Sequence, residues 1–234
     1  MGIALTSAGL VGSPALGPGS APQPVPGPAA ARTTTPVLLV PGWLDTARDL
    51  AALRIRFLGA GWAHVEALSF EDPAGSNRDH ALEIEAAVTR ILAESGAEEL
   101  DIVAHSMGGL ATRWFLLSHH PAPVRRVAFL GAPHHGTLTA HLAWGAGGDE
   151  MTPGSDFLET LNGADPVPEG VEAITVRTPI DTRVVPGESA VLPGIEDHTV
   201  CCPTHPGLVE DEDVFRIVVD FLERPEAETA DSRP

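Results

Sequence analysis

The chain contains no lysine: all 14 of its basic residues are arginine. That absence excludes a Schiff-base lysine, a phosphate-loop lysine and a lysine-rich nucleic-acid surface. Against the arginines stand 32 acidic residues, a formal net charge of -18 at pH 7. Such a surface repels a phosphate backbone, so nucleic acid is not an expected partner. Cysteine is nearly missing. Cys201 and Cys202 are the only two and they are neighbours; neighbours cannot close an ordinary loop, and a metal site wants further ligands at definite spacing. The pair reads first as small apolar residues of a buried strand, with a vicinal disulfide as the alternative. Also lacking is any apolar run long enough to cross a bilayer.

What is present suits one globular domain. The chain has 234 residues, 43% of them hydrophobic, enough for a real core. Residues 1–34, rich in Gly, Pro and Ala and uncharged before Arg32, cannot supply a core and read as a disordered leader or the remnant of a signal region. Met1 to Leu16 is mildly apolar and Ala29-Ala30-Ala31 looks like a small-residue cleavage region, although the basic start of a secretory signal is missing. The expected location is extracellular, with the cytoplasm as the alternative. Residues 35–224 form the expected catalytic domain and residues 225–234 an acidic tail. The acidic run Glu210 to Asp213 reads as a solvated face.

From Thr35 onward short apolar runs alternate with amphipathic stretches, the pattern of a mostly parallel sheet of about six strands flanked by helices. The expected strands are Val37 to Val40, His64 to Leu68, Leu100 to Val103, Val127 to Leu130, Ile174 to Val176 and Thr199 to Cys202. A helix is expected near Thr46 to Leu58, with Leu50, Leu53 and Phe57 on one face. Another, capped by Ser76 or Asn77 and ended by Gly96, turns Leu82, Val88, Ile91 and Leu92 inward. Met107 to Leu116 and Val214 to Leu222 complete the expected helices.

The chemistry centres on Leu-Asp-Ile-Val-Ala-His-Ser-Met-Gly-Gly at 100–109. A serine between an apolar strand and a helix, with small residues two before and two after, is a nucleophile elbow. Here those residues are Ala104 and Gly108, alanine standing where glycine is usual. A serine hydroxyl needs a base, and the base needs an acid to orient it; in an elbow-bearing fold they follow in the order serine, acid, histidine. Asp181, just past the strand Ile174 to Val176, is the best-placed acid, with Glu196 and Asp197 behind it. Only His198 and His205 follow it, and His205, in the loop before the last helix, is preferred over the strand-bound His198. The oxyanion needs two backbone N–H groups. Met107 offers one; the turn after the first strand, Val40-Pro41-Gly42-Trp43-Leu44-Asp45, offers the other, from Trp43 or else Leu44.

With these motifs in place the chain resembles bacterial lipases and esterases of the α/β-hydrolase superfamily, particularly small lipases with Ala-His-Ser-Met-Gly at the elbow. The resemblance covers about Pro36 to Leu222. It also includes Val-Leu-Leu-Val-Pro-Gly at 37–42, Gly131-Ala132-Pro133-His134-His135-Gly136-Thr137, Met151 to Ser155, Asp181 with Val184-Val185-Pro186, and His205-Pro206-Gly207-Leu208. It implies the α/β-hydrolase fold and carboxylester hydrolysis by Ser106, Asp181 and His205, with no cofactor and no metal. The implied substrate is a small-molecule or lipid ester, with the lipid–water interface as a further candidate partner. Leu44, Leu138, Trp144 and Phe157 are candidate substrate contacts, and His134 and His135 are expected to be structural or pocket-wall residues. The segment Thr137 to Gly170 is either a partial lid or a plain surface excursion. A thioesterase or acyltransferase would use the same triad, and a catalytically silent binding protein would use the same scaffold.

Overall fold

The computed structural model describes Gly2 and residues 35–119 and 122–225. Apart from Gly2, the expected leader lies outside the described residues, as does the expected acidic tail from residue 226 onward. Six strands, β1 (Val37–Val40), β2 (Val65–Ala67), β3 (Leu100–His105), β4 (Val124–Leu130), β5 (Glu172–Arg177) and β6 (Glu196–Thr199), form one sheet in the order β2-β1-β3-β4-β5-β6. Every neighbouring pair is parallel. The helices are α1 (Ala51–Ala60), α2 (Asn77–Ser95), α3 (Gly108–Ser118), α4 (Gly145–Glu150), α5 (Asp156–Asn162) and α6 (Glu212–Leu222).

Burial on both faces explains the apolar runs. Successive strand side chains point to opposite sides. Val37 and Leu39 therefore pack with Leu53 and Phe57 of α1 and Val218 and Phe221 of α6. Leu38 and Val40 pack with Ile84 and Val88 of α2 and Phe115 of α3. Ser76 caps α2 by accepting the Arg78 N–H, and Gly96 ends it in the left-handed conformation. The inward stripe of α2 runs through Ala81, Ile84, Val88 and Ile91. Leu82, expected inside, is exposed because two residues before Ile84 it lies on the far side of the helix; Leu92 is half-buried at the edge of the stripe.

Two boundaries differ instructively from expectation. α1 begins at Ala51, not Thr46, because the Asp49 carboxylate accepts the Thr46 N–H and hydroxyl and folds residues 46–49 into a turn, while Leu50, Leu53 and Phe57 are buried as expected. The last strand is Glu196–Thr199, not Thr199 to Cys202: β5 ends at Arg177, opposite Thr199, so no partner remains for a longer ladder. Cys201 and Cys202 consequently lie beyond the strand, exposed and bonded to each other, rather than buried as apolar residues. The acidic run is exposed at Glu210, Glu212 and Asp213, and Asp211 caps α6 by accepting from the Asp213 and Val214 N–H groups.

The chain leaves β1 for β2 on one side and returns to β3 on the other, so a crevice opens beyond the carboxyl ends of β1 and β3. Val40 pairs with Ala104. The turn after β1 and the elbow after β3 therefore leave the sheet side by side.

Candidate active site

Ser106 follows β3 directly with φ 53°, a left-handed conformation strained for any residue with a Cβ. Its own N–H donates to the Leu130 carbonyl at 2.9 Å and its carbonyl accepts from Gly109 at 3.0 Å, which pins the turn between β4 and α3. Gly108 is required by closeness: a Cβ there would overlap the Pro41 carbonyl and touch Val40. Ala104 needs no such economy, since its methyl packs in the core on the α2 and α3 side of the sheet.

Asp181 sits in the turn after β5. Its Oδ1 accepts the Arg183 and Val184 N–H groups, each at 2.8 Å, which leaves Oδ2 to accept the His205 Nδ1 proton at 2.8 Å. The two side chains are 3% and 1% exposed. His205 opens the short 3₁₀ turn Pro206–Val209 after β6, and its ring lies against Gly131, where a Cβ would come within 3.3 Å of it. With Nδ1 donating to Asp181, Nε2 is the remaining ring nitrogen; it is buried and has no hydrogen-bond partner among the described residues, Ser106 Oγ included. Bonds of this kind commonly tighten only when substrate is bound.

Burial pushes the His205 imidazole below its ordinary value; the Asp181 hydrogen bond opposes this, and the nearby His105 and Arg183 reinforce it. Burial alone would raise Asp181, but the hydrogen bond and charge of His205 with the Val184 and Arg183 N–H groups outweigh it and hold the carboxyl low. The favoured state is a neutral imidazole against an ionised carboxylate. The carboxylate by itself would shift the base upward; desolvation outweighs it. The kcat/KM of a soluble short-chain ester is therefore expected to rise with pH along a limb whose midpoint lies below about 6.5, the ordinary histidine value. A pH–rate profile measures it, and a midpoint above that value would make the Asp181 interaction the stronger influence.

Trp43 N and Met107 N donate to no backbone acceptor among the described residues, whereas Leu44 N is taken by the Pro73 carbonyl at 3.1 Å. That separates the two candidates in the β1 turn. Met107 caps α3, so its N–H needs no intrahelical partner and lies at the positive end of the helix dipole. A cleft of about 320 Å³ opens over Ser106 between Trp43 and Asp45 on one side and Thr182, Arg183 and Val184 on the other. Its remaining wall comes from Pro133, Thr137, Thr139, Ala140, Leu142, Ala143 and Met151.

None of the four expected substrate contacts is among the residues lining this cleft. Leu44, Leu138 and Trp144 are exposed and do not line the cleft. Phe157 is 2% exposed, stacked on Trp114 in a small core with Leu110 and Leu161, because α5 turns its apolar side onto α3. Trp144 acts one step removed: its ring meets Trp43 edge-on at 4.6 Å and its carbonyl accepts the Trp43 indole N–H. Thr137, Thr139, Ala140, Leu142, Ala143 and Met151 form a wall of the cleft. They are held by Thr137 and Thr139 hydroxyl donors to the Arg183 carbonyl, and α4 is held by Glu150, which accepts from Ser76 and Asn77.

His198 and His134 are engaged elsewhere. His198 lies in β6, half-buried, 2.8 Å from Glu196. Glu196 is itself held by Arg224, and Asp197 by Thr175 and Arg177, so neither back-up acid meets His205. His134 is wholly buried edge-on against Phe129; burial, then the charges of Arg113 and His135, keep it far below the ordinary range and therefore neutral, as suits a structural residue. No group of three or more metal-binding side chains occurs among the described residues. That Asp45, Arg183 and Met151 meet in the cleft wall was not readable from the sequence, because no local motif marks a wall assembled from three loops.

A model of the α/β-hydrolase fold family matches residues 57–154. The fold is that of the α/β hydrolases. Aspergillus fumigatus lipase B is 22% identical with a TM-score of 0.71, over 81% of this chain and 52% of that one; the chain thus spans about half the length of that lipase. A mature Bacillus licheniformis lipase is 17% identical with a TM-score of 0.68, over 86% of this chain and 96% of that one. Polyneuridine aldehyde esterase is 15% identical with a TM-score of 0.56, over 81% and 99%. Within this hydrolase fold, Ser106, Asp181 and His205 lie after β3, β5 and β6, all at one edge of the sheet.

Proposed function

We propose that the protein is a serine carboxylester hydrolase that cleaves acylglycerols or other fatty-acid esters through an acyl-enzyme. The reading rests on one observation: a buried Asp181–His205 pair at 2.8 Å stands at the sheet edge that carries a strained serine opening into an apolar cleft. His205 Nε2 takes the Ser106 proton as Oγ attacks the ester carbonyl, and the Trp43 and Met107 N–H groups hold the oxyanion. Collapse expels the alcohol, which receives its proton from His205. Water then gives a proton to the same nitrogen, attacks the acyl-enzyme and releases the acid.

The acyl chain lies against Leu142, Ala143, Met151 and Val184. Beside these lining residues in the chain, Leu138, Trp144 and Ile180 are 57%, 62% and 48% exposed, an apolar fringe suited to substrate presented at a lipid–water interface. A nitrophenyl ester series of rising chain length tests the reading, and turnover of none of them, with no fluorophosphonate label on Ser106, would refute it. Every step above is carried by a side chain or backbone N–H. Dialysis against a strong chelator is therefore expected to leave the rate on a short-chain ester unchanged, and a complete, metal-reversible loss would overturn that route.

A further inference from the structure

The residue before the nucleophile reaches the loop of His205 with one ring nitrogen and faces the Asp45 turn with the other. His105 is the last residue of β3 and its side chain is 5% exposed. Its Nε2 lies 3.2 Å from the His205 carbonyl oxygen, which can only accept, so this nitrogen is the donor. The same carbonyl also takes the Leu208 N–H at 3.3 Å. The rings of His105 and His205 lie 4.8 Å apart, so His105 touches the base through both its ring and its backbone. On its other side, Nδ1 lies 3.3 Å from Asp45 Oδ2 but makes no hydrogen bond to it, and the two pair only when the ring carries both protons. Asp45 belongs to the turn that carries Trp43 and is closed by its own N–H on the Gly42 carbonyl at 3.1 Å. That turn is pressed onto the elbow: a Cβ on Gly42 would come within 2.8 Å of Ser106 Cβ and 2.9 Å of Asp45 Oδ2.

We propose that His105 is a positioning residue, clamping the loop of the base His205 to the elbow and to the Asp45 turn. The inference rests on the ester-hydrolase reading. His205 sits between a cysteine pair and a Pro-Gly turn, and its ring must swing little between Ser106 and the leaving group; a hydrogen bond to its own carbonyl limits that swing where Asp181 alone fixes only one ring atom. Misplacement of a base by about 1 Å costs up to about a hundredfold in rate. His105 thus supports kcat and leaves ester binding alone, because it does not line the cleft.

Two amide substitutions separate the clamp from simple filling of space. In His105→Gln the side-chain amide reaches as far as Nε2 and still donates to the His205 carbonyl. In His105→Asn the amide reaches only as far as Nδ1, toward Asp45, and that bond is lost. Active sites are titrated with a fluorophosphonate so that unfolded protein does not enter kcat, and both variants are assayed on one nitrophenyl ester. The expected result is a kcat within about threefold of the parent for Gln and about 10- to 100-fold lower for Asn, with KM within about twofold in both. Equal kcat values, a lower value for Gln, a Gln variant that takes no probe, or an effect confined to KM would overturn the clamp. A parent protein that neither hydrolyses ester nor takes the probe would refute the ester-hydrolase reading instead, before either variant is made.

Discussion

Ser106→Ala is expected to abolish ester hydrolysis, with a fall of about 10⁴- to 10⁶-fold, and to remove fluorophosphonate labelling entirely. The fold should survive. The backbone of residue 106 is held by its N–H on Leu130 and its carbonyl on Gly109, contacts that alanine keeps, and alanine bears the φ of 53° no worse than serine does. Circular dichroism and a thermal melt on the purified variant check the second half of the expectation, and turnover on a short-chain ester the first. Near-native activity in a folded variant would remove Ser106 from the reaction.

His205→Ala is expected to be as damaging as the serine change, and the double variant no worse than either, because nucleophile and base act as one unit. It should also cost some stability. Asp181 stays buried with its two backbone donors but without the imidazole, and an under-partnered buried carboxylate is destabilising by about 1–3 kcal/mol. His198→Ala is the contrast. That side chain pairs only with Glu196, which Arg224 continues to hold, so most of the activity is expected to remain. Kinetics on the three variants with one ester decide the matter; the opposite ranking of the histidines would transfer the base to β6.

Much of this was legible in the chain because the signals are local. A helix stop such as Gly96, a cap such as Ser76 and a two-sided apolar strand such as Val37–Val40 each declare themselves within a few residues. The elbow is equally compact, and the order of serine, acid and histidine left few candidates. Misreadings came where partners decide. Thr199 to Cys202 has an apolar look, yet strand length was set by where β5 stopped. Phe157 belongs by composition to either a pocket or a core, and the packing of α5 on Trp114 chose the core.

Sequence by itself determined the class of fold and singled out the elbow with a candidate acid and base, because covalent neighbours and hydrophobic period are properties of short stretches. Only the tertiary structure decided the direction of the His205 shift, since desolvation depends on everything that surrounds the ring. It also tied the Leu44 N–H to the Pro73 carbonyl, 29 residues further along the chain, while the Trp43 N–H has no backbone partner among the described residues. The cleft and the contact of His105 with His205 join β1, β3, β5 and β6 loops that are remote in sequence. No local pattern encodes such a meeting; the parallel register of the strands, which brings their carboxyl ends level, creates it.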